Sequence, residues 1–167
     1  YFVRLGLVNT PFALPLIYAA HQLPMAIWVV KGTIEGIPRE LDEAAIIDPI
    51  RDIDAYIALA AERRASIKYI FETHFHADFV SGHIDLSKRT GAPIIYGPGA
   101  ETRFSIYRAT DGETFKLGQC CIEVMHTPGH TLESSCYLLK NEEGKPQAIF
   151  TGDTLFVGDV GRPDLSS

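Results

Sequence analysis

The chain has no long run of basic residues, and its 15 Lys and Arg are outnumbered by 21 Asp and Glu, for a formal net charge of −6. Nucleic acid and anionic membrane surfaces are therefore poor partners. Three cysteines, Cys120, Cys121 and Cys136, are too few and too unevenly placed for a disulfide framework. Adjacent Cys120 and Cys121 alternate to opposite faces of a strand, which reads as reduced, partly buried thiols and fits a reducing cytoplasm. Internal repeats and low-complexity tracts are absent. So are an initiating Met and a short apolar core ending at a small-residue cleavage site, and no signal peptide is expected. Charge itself is missing from Leu5 to Val30, 26 residues without Asp, Glu, Lys or Arg. Such a stretch is a candidate membrane span, although Pro11, Pro15, Pro24, Asn9, His21 and Gln22 interrupt it. Residues 5–30 thus offer a segment for membrane association. The remaining composition, 46% hydrophobic and 22% charged over 167 residues, suits one packed domain with or without an appendage.

What is present centres on Thr73–His83, T-H-F-H-A-D-F-V-S-G-H. The preceding run Ile67–Glu72 is dense in β-branched and aromatic residues and predicts a strand. A strand end that presents His74 and His76 puts both imidazoles on one face, with Asp78 on the same parity if the backbone stays extended. An isolated H-x-H is equally a pair of polar residues entering a loop. Two later stretches remove that reading. His126-Thr127-Pro128-Gly129-His130-Thr131 follows the strand-like run Cys120–Met125, and Phe150-Thr151-Gly152-Asp153-Thr154 follows Gln147–Phe150. Imidazoles and a carboxylate in Gly-containing loops at three strand ends predict convergence at one sheet edge, and this is a metal site.

H-x-H-x-D, then T-P-G-H-T, then T-G-D, in this order, resembles the metallo-β-lactamase fold superfamily. More narrowly, T-H-F-H-A-D-F-V-S-G-H with G-D-T-L-F-V-G-D-V-G-R-P-D is similar to the persulfide dioxygenase branch, relatives of glyoxalase II. The resemblance covers about Ala44 to Leu165. It implies a layered α/β fold, a partial αββα sandwich, in a domain spanning 44–167 and truncated at its C-terminus. Dinuclear relatives carry His directly after the motif Asp, where this chain has Phe79, so a mononuclear site is implied. The ligands carried across are His74, His130 and Asp153, the facial triad of non-haem iron chemistry. His76 is placed beside the iron or just outside it. Asp78 becomes an outer residue that orients a ligand imidazole or shapes the loop. His83 and His126 are read as structural.

The implied reaction is oxidation of glutathione persulfide, or that of a similar thiol, by O2 to sulfite. It requires one Fe(II) per chain, and Arg162 would steady a substrate carboxylate or pair with Asp164. The alternatives are a Zn(II)-dependent thioester hydrolase of the hydroxyacylglutathione hydrolase type, and a non-catalytic fused or partial protein. The resemblance leaves a homodimer open.

Residues 1–43 have a different likeness. Gly36-Ile37-Pro38-Arg39-Glu40-Leu41-Asp42-Glu43-Ala44-Ala45-Ile46-Ile47-Asp48, with Asn9-Thr10 and Gln22-Leu23-Pro24 upstream, resembles the EAA-loop region of sugar ABC transporter permeases. It implies an apolar, helical N-terminal appendage. That likeness stops at Pro49, where the permeases have Gly. Glu43–Pro49 also reads as a strand entering a turn. The strand is preferred, because Pro49 keeps Asp48 out of helical geometry.

Further along, Asp52 or Asp54 caps a predicted helix to about Arg64, with Ile53, Tyr56, Ile57 and Ala60 as its apolar stripe. A second helix starts at Ser81 or Gly82 and stops near Gly91. Pro93–Tyr96 is a short buried strand, and 100–112 a polar, irregular loop. Phe115–Met125, Ser135–Lys140 and Gln147–Phe150 make three strands, the last two joined by a turn at Asn141–Pro146.

Overall fold

The computed structural model describes residues 42–163. Residues 1–41, which hold most of the permease-like segment and the apolar stretch 5–30, and Asp164 lie outside the described residues. Paired Ile46 and Ile47 prevail over the helix-favouring Glu and Ala before them, and β1 forms at Glu43–Ile47. Asp48, held before Pro49, adopts φ +48°, a left-handed conformation that Asp tolerates better than most residues. Helix α1 (Asp54–Glu62) follows, entered from Ile53. Strand β2 is Ser66–Phe71 and helix α2 is His83–Thr90, which ends at Gly91 with φ +77°. Strand β3 is Ile94–Tyr96.

The polar stretch 100–112 is not wholly irregular. Within it β4 (Tyr107–Arg108) pairs with Ile95 and Tyr96, an edge pairing made by backbone groups while both residues stay exposed. The single strand expected over Phe115–Met125 is two, β5 (Thr114–Leu117) and β6 (Cys120–His126). Leu117 pairs with Cys120, which leaves a two-residue turn that Gly118 enables with φ +58°. Strands β7 (Ser135–Lys140) and β8 (Pro146–Phe150) follow, and then the short strands β9 (Leu155–Phe156) and β10 (Asp159–Val160).

Strands β1–β8 form two four-stranded sheets, and β9 and β10 pair with each other as an antiparallel two-stranded one. The first is parallel in the order β1-β2-β3-β4, and the second is an antiparallel meander β5-β6-β7-β8. Consecutive parallel strands joined by right-handed crossovers place both helices on one face of the first sheet. Ile53 at the entry to α1, Tyr56 of α1 and Leu86 of α2 pack there with Ile46, Ile67 and Ile70, and Ile57 and Ala60 lie against them. The opposite face meets the second sheet through Phe71, Ile95, Phe115, Ile122, Val124, Tyr137 and Leu139. This is the layered α/β architecture expected from the sequence. Among the described residues both α-helices lie on the parallel sheet, and no helix is long and apolar enough to cross a membrane. All three cysteines are free thiols, Cys136 buried and the other two half-buried.

Bonds between the sheets set one edge. The Ser135 amide donates to the Thr73 carbonyl at 2.9 Å, and the Tyr137 hydroxyl donates to the Glu72 carbonyl at 2.7 Å. The C-terminal end of β2 is thereby fixed beside the start of β7, with the loops after β6 and β8 next to it.

Candidate metal centre

His74 follows β2 and is 3% exposed. His130 lies in the loop between β6 and β7, and Asp153 in a short 3-10 turn, Gly152–Thr154, after β8. The structure brings these three together: one ligand atom from each lies within 4.8 Å of the others. His130 Nε2 is 3.6 Å from Asp153 Oδ2, and the His74 and His130 rings meet edge-on with centroids 5.0 Å apart.

The donor set fits a divalent metal because both imidazoles are held through their other nitrogen. His74 Nδ1 is 2.9 Å from Thr73 Oγ1, whose hydroxyl donates to Asp48 Oδ2 at 2.8 Å. Nδ1 therefore carries the hydrogen, and Nε2 is left with a lone pair. His130 Nδ1 donates to the Arg162 carbonyl at 3.1 Å, which leaves Nε2 facing Asp153. Burial lowers the His74 pKa, and the neighbouring His76 adds to this, so the neutral, ligating form is favoured.

Close backbone approaches lock the loops. A side chain at Gly161 would collide with the Asp153 carbonyl and press on His130, and one at Gly152, where φ is +49°, would strike Thr73. Glu133, buried, accepts from the Phe75 amide at 2.9 Å and the Thr131 hydroxyl at 2.8 Å, joining the loops that carry His74 and His130.

The other residues singled out from sequence fall elsewhere. His76, which the sequence reading set beside the iron or just outside it, groups with Asp48 and Glu72 next to the triad. Its Nε2 is 3.1 Å from Asp48 Oδ1 and 3.5 Å from Glu72 Oε2, while its ring lies 4.2 Å from that of His74. Its Nε2 thus faces two carboxylates. Burial alone would lower the His76 pKa, but Asp48 beside it, with Glu72 and Asp78, raises it on balance. Phe79 packs against His76 with ring centroids 4.3 Å apart and the planes tilted by 41°. Asp78 is 76% exposed and stands 4.0 Å from His76 Nδ1. His83 lies 3.3 Å from Glu72 Oε1, and His126 Nε2 donates to the Leu132 carbonyl at 3.0 Å. Arg162 meets the site through its backbone carbonyl.

Sequence reasoning did not assign Asp48, Glu72, Thr73 or Glu133. The signal for Asp48 was its place between a strand and a proline. Glu72 and Thr73 directly precede the motif, in a segment that a strand buries.

Replacing Thr73 with Val keeps the shape but removes the hydroxyl linking Asp48 to His74. Metal affinity is expected to fall about 10–100-fold, the usual effect of losing an outer partner of a ligand. Competition with a chromophoric chelator measures this, and an unchanged affinity would show that the relay does not orient His74.

The fold and the site define a class. Residues 37–105 match the family model of the metallo-beta-lactamase superfamily, and the described residues have that superfamily's fold. Particular relatives then follow. The probable hydroxyacylglutathione hydrolase glo2 of Schizosaccharomyces pombe is 34% identical over 148 residues, 85% of this chain and 57% of that protein. The cytoplasmic hydroxyacylglutathione hydrolase of Arabidopsis thaliana is 34% identical over 128 residues, 75% of this chain and 49% of that protein. Among solved structures, a metallo-beta-lactamase from Staphylococcus aureus has TM-score 0.68 and 38% identity, over 77% of this chain and 41% of that one. ETHE1 from Myxococcus xanthus has TM-score 0.66 and 30% identity, over 77% of this chain and 55% of that one. The chain spans about half the length of the curated relatives it matches.

Proposed function

We propose that residues 44–167 carry the site of a mononuclear iron persulfide dioxygenase, with 1–43 a separate permease-like segment. The proposed substrate is glutathione persulfide or that of a similar small thiol. The observation that carries this reading is the His74–His130–Asp153 group, with Phe79, which cannot ligate, packed against His76. The ETHE1 neighbour supports it. The overall reaction balances as RSSH + O2 + H2O giving RSH, sulfite and two protons. Iron(II) held by two imidazoles and one carboxylate supplies redox chemistry at open positions, which zinc does not.

The chain's own part is positional. Thr73 and the Arg162 carbonyl set the two ring orientations, and Asp153 brings the third donor from the opposite sheet. Exposed Phe75, Leu132 and Leu155 lie on the same loops as the three ligands, so the approach has apolar surface suited to a polysulfur chain. The Arg162 guanidinium is the proposed partner for a substrate carboxylate.

A second reading is zinc-dependent hydrolysis of a hydroxyacylglutathione thioester, and the curated relatives' names favour it. One experiment separates the two. Protein loaded with Fe(II) without oxygen is given glutathione persulfide and O2 uptake is followed, while zinc-loaded protein is given the thioester and thiol release is followed. Uptake matched by sulfite supports the dioxygenase. Thiol release alone would replace it with the hydrolase.

A further inference from the structure

Beside the triad lies a second cluster that the proposed reaction does not use. Glu72 is 0% exposed. Among the described residues, four buried side-chain atoms lack a hydrogen-bond partner: Glu72 Oε2, His76 Nε2, His83 Nδ1 and His83 Nε2. They all sit around one carboxylate, since Glu72 stands 3.5 Å from His76 Nε2 and 3.3 Å from His83 Nδ1. Buried polar atoms are nearly always partnered, and such a concentration calls for an occupant.

The geometry indicates what kind. One donor atom each from Asp48, Glu72 and His76 lies within 4.8 Å of the other two. His76 Nε2 is 3.1 Å from Asp48 Oδ1 and 3.5 Å from Glu72 Oε2, yet neither carboxylate oxygen aligns with it as a hydrogen-bond acceptor. Donors bound at about 2.0–2.2 Å around a tetrahedral ion stand about 3.3–3.6 Å apart, which these separations approach. Two carboxylates also bring the charge that neutralises a dication where water is nearly excluded.

Each donor is anchored. Asp48 accepts from the Thr73 amide at 2.7 Å and the Thr73 hydroxyl at 2.8 Å, and Oδ1 keeps a further lone pair. Ser81 donates to Glu72 Oε1 at 2.7 Å, which leaves Oε2 toward His76.

We infer that Asp48, Glu72 and His76 form a second divalent-cation site, separate from the His74–His130–Asp153 group. It takes a borderline ion such as Zn2+, Fe2+ or Co2+ through one imidazole nitrogen and two carboxylate oxygens. The site ties the end of β1 to the end of β2 underneath the loop that carries His74, and it does not depend on the reaction class.

The test uses the full chain, stripped of metal and titrated with Co2+, for the unaltered protein, Glu72→Gln and His130→Ala. About two equivalents are expected in the first and about one in each variant, with different parts of the visible cobalt spectrum lost. One equivalent that His130→Ala loses and Glu72→Gln keeps would overturn the second site and leave the first standing. One equivalent that Glu72→Gln loses and His130→Ala keeps would uphold it and remove the triad reading instead. Any result in which folded Glu72→Gln matches the unaltered protein, including no binding by either, overturns the inference. If Glu72→Gln does not fold, His76→Gln is measured in its place under the same criteria.

Discussion

Replacing His130 with Ala is expected to empty the triad site and abolish the persulfide-dependent uptake of O2. The residue has two roles that fail together. Its Nε2 faces Asp153 at 3.6 Å, and its Nδ1 holds the Arg162 carbonyl at 3.1 Å. Losing an outer partner costs about 10–100-fold in metal affinity, and losing the ligand itself should exceed that range. Removing the ring also frees the backbone after β8 from its hydrogen bond at Arg162. Iron analysis after desalting, with circular dichroism to confirm folding, decides the matter. Folded protein that keeps the full metal complement would refute the ligand assignment.

The second large effect is on stability. Phe71 is 0% exposed and touches the rings of Tyr69, Phe115 and Tyr137, with centroids at 5.9, 5.4 and 4.7 Å. It is a contact point between the two sheets, and it sits two residues before Thr73. Phe71→Ala should destabilise the domain by about 3–5 kcal/mol, the range for large aromatic truncations in cores. At about 3 °C per kcal/mol for a domain of this size, the melting temperature should fall by about 10 °C or more. Phe71→Leu, which refills much of the volume, should lose far less. A thermal scan showing under about 3 °C for the Ala variant would mean that the two sheets are not held together here.

Much of the fold was legible where local chemistry and packing agree. The stripe Ile53, Tyr56, Ile57 and Ala60 announced α1, and Gly91 announced the end of α2. Pro49 decided between helix and strand for β1, against the propensities of Glu and Ala. Two misreadings have physical causes. Phe115–Met125 is strand-like on both sides of Gly118, and a lone Gly inside such a run also fits a bulge, whereas here its positive φ turns the chain back. Tyr107–Arg108 is a strand by backbone pairing with β3, a long-range fact that its own residues do not encode.

The triad residues were legible because each sits in a loop directly after a strand-like run. Their supports were not. Asp48 lies 25 positions before Thr73, and only the pairing of β1 with β2 makes them neighbours. The surroundings of His76 were only half legible, since Glu72 lies four residues before it in the chain while Asp48 arrives through that same pairing.

The Ser135 amide on Thr73 and the Tyr137 hydroxyl on Glu72 lie along a seam, and the three triad ligands come from both sides of it. An ion on the triad would act as a clasp whose grip measures how far the halves have parted. Chelation should then speed hydrogen exchange at the Ser135 amide well before the helices on the far face of β2 respond.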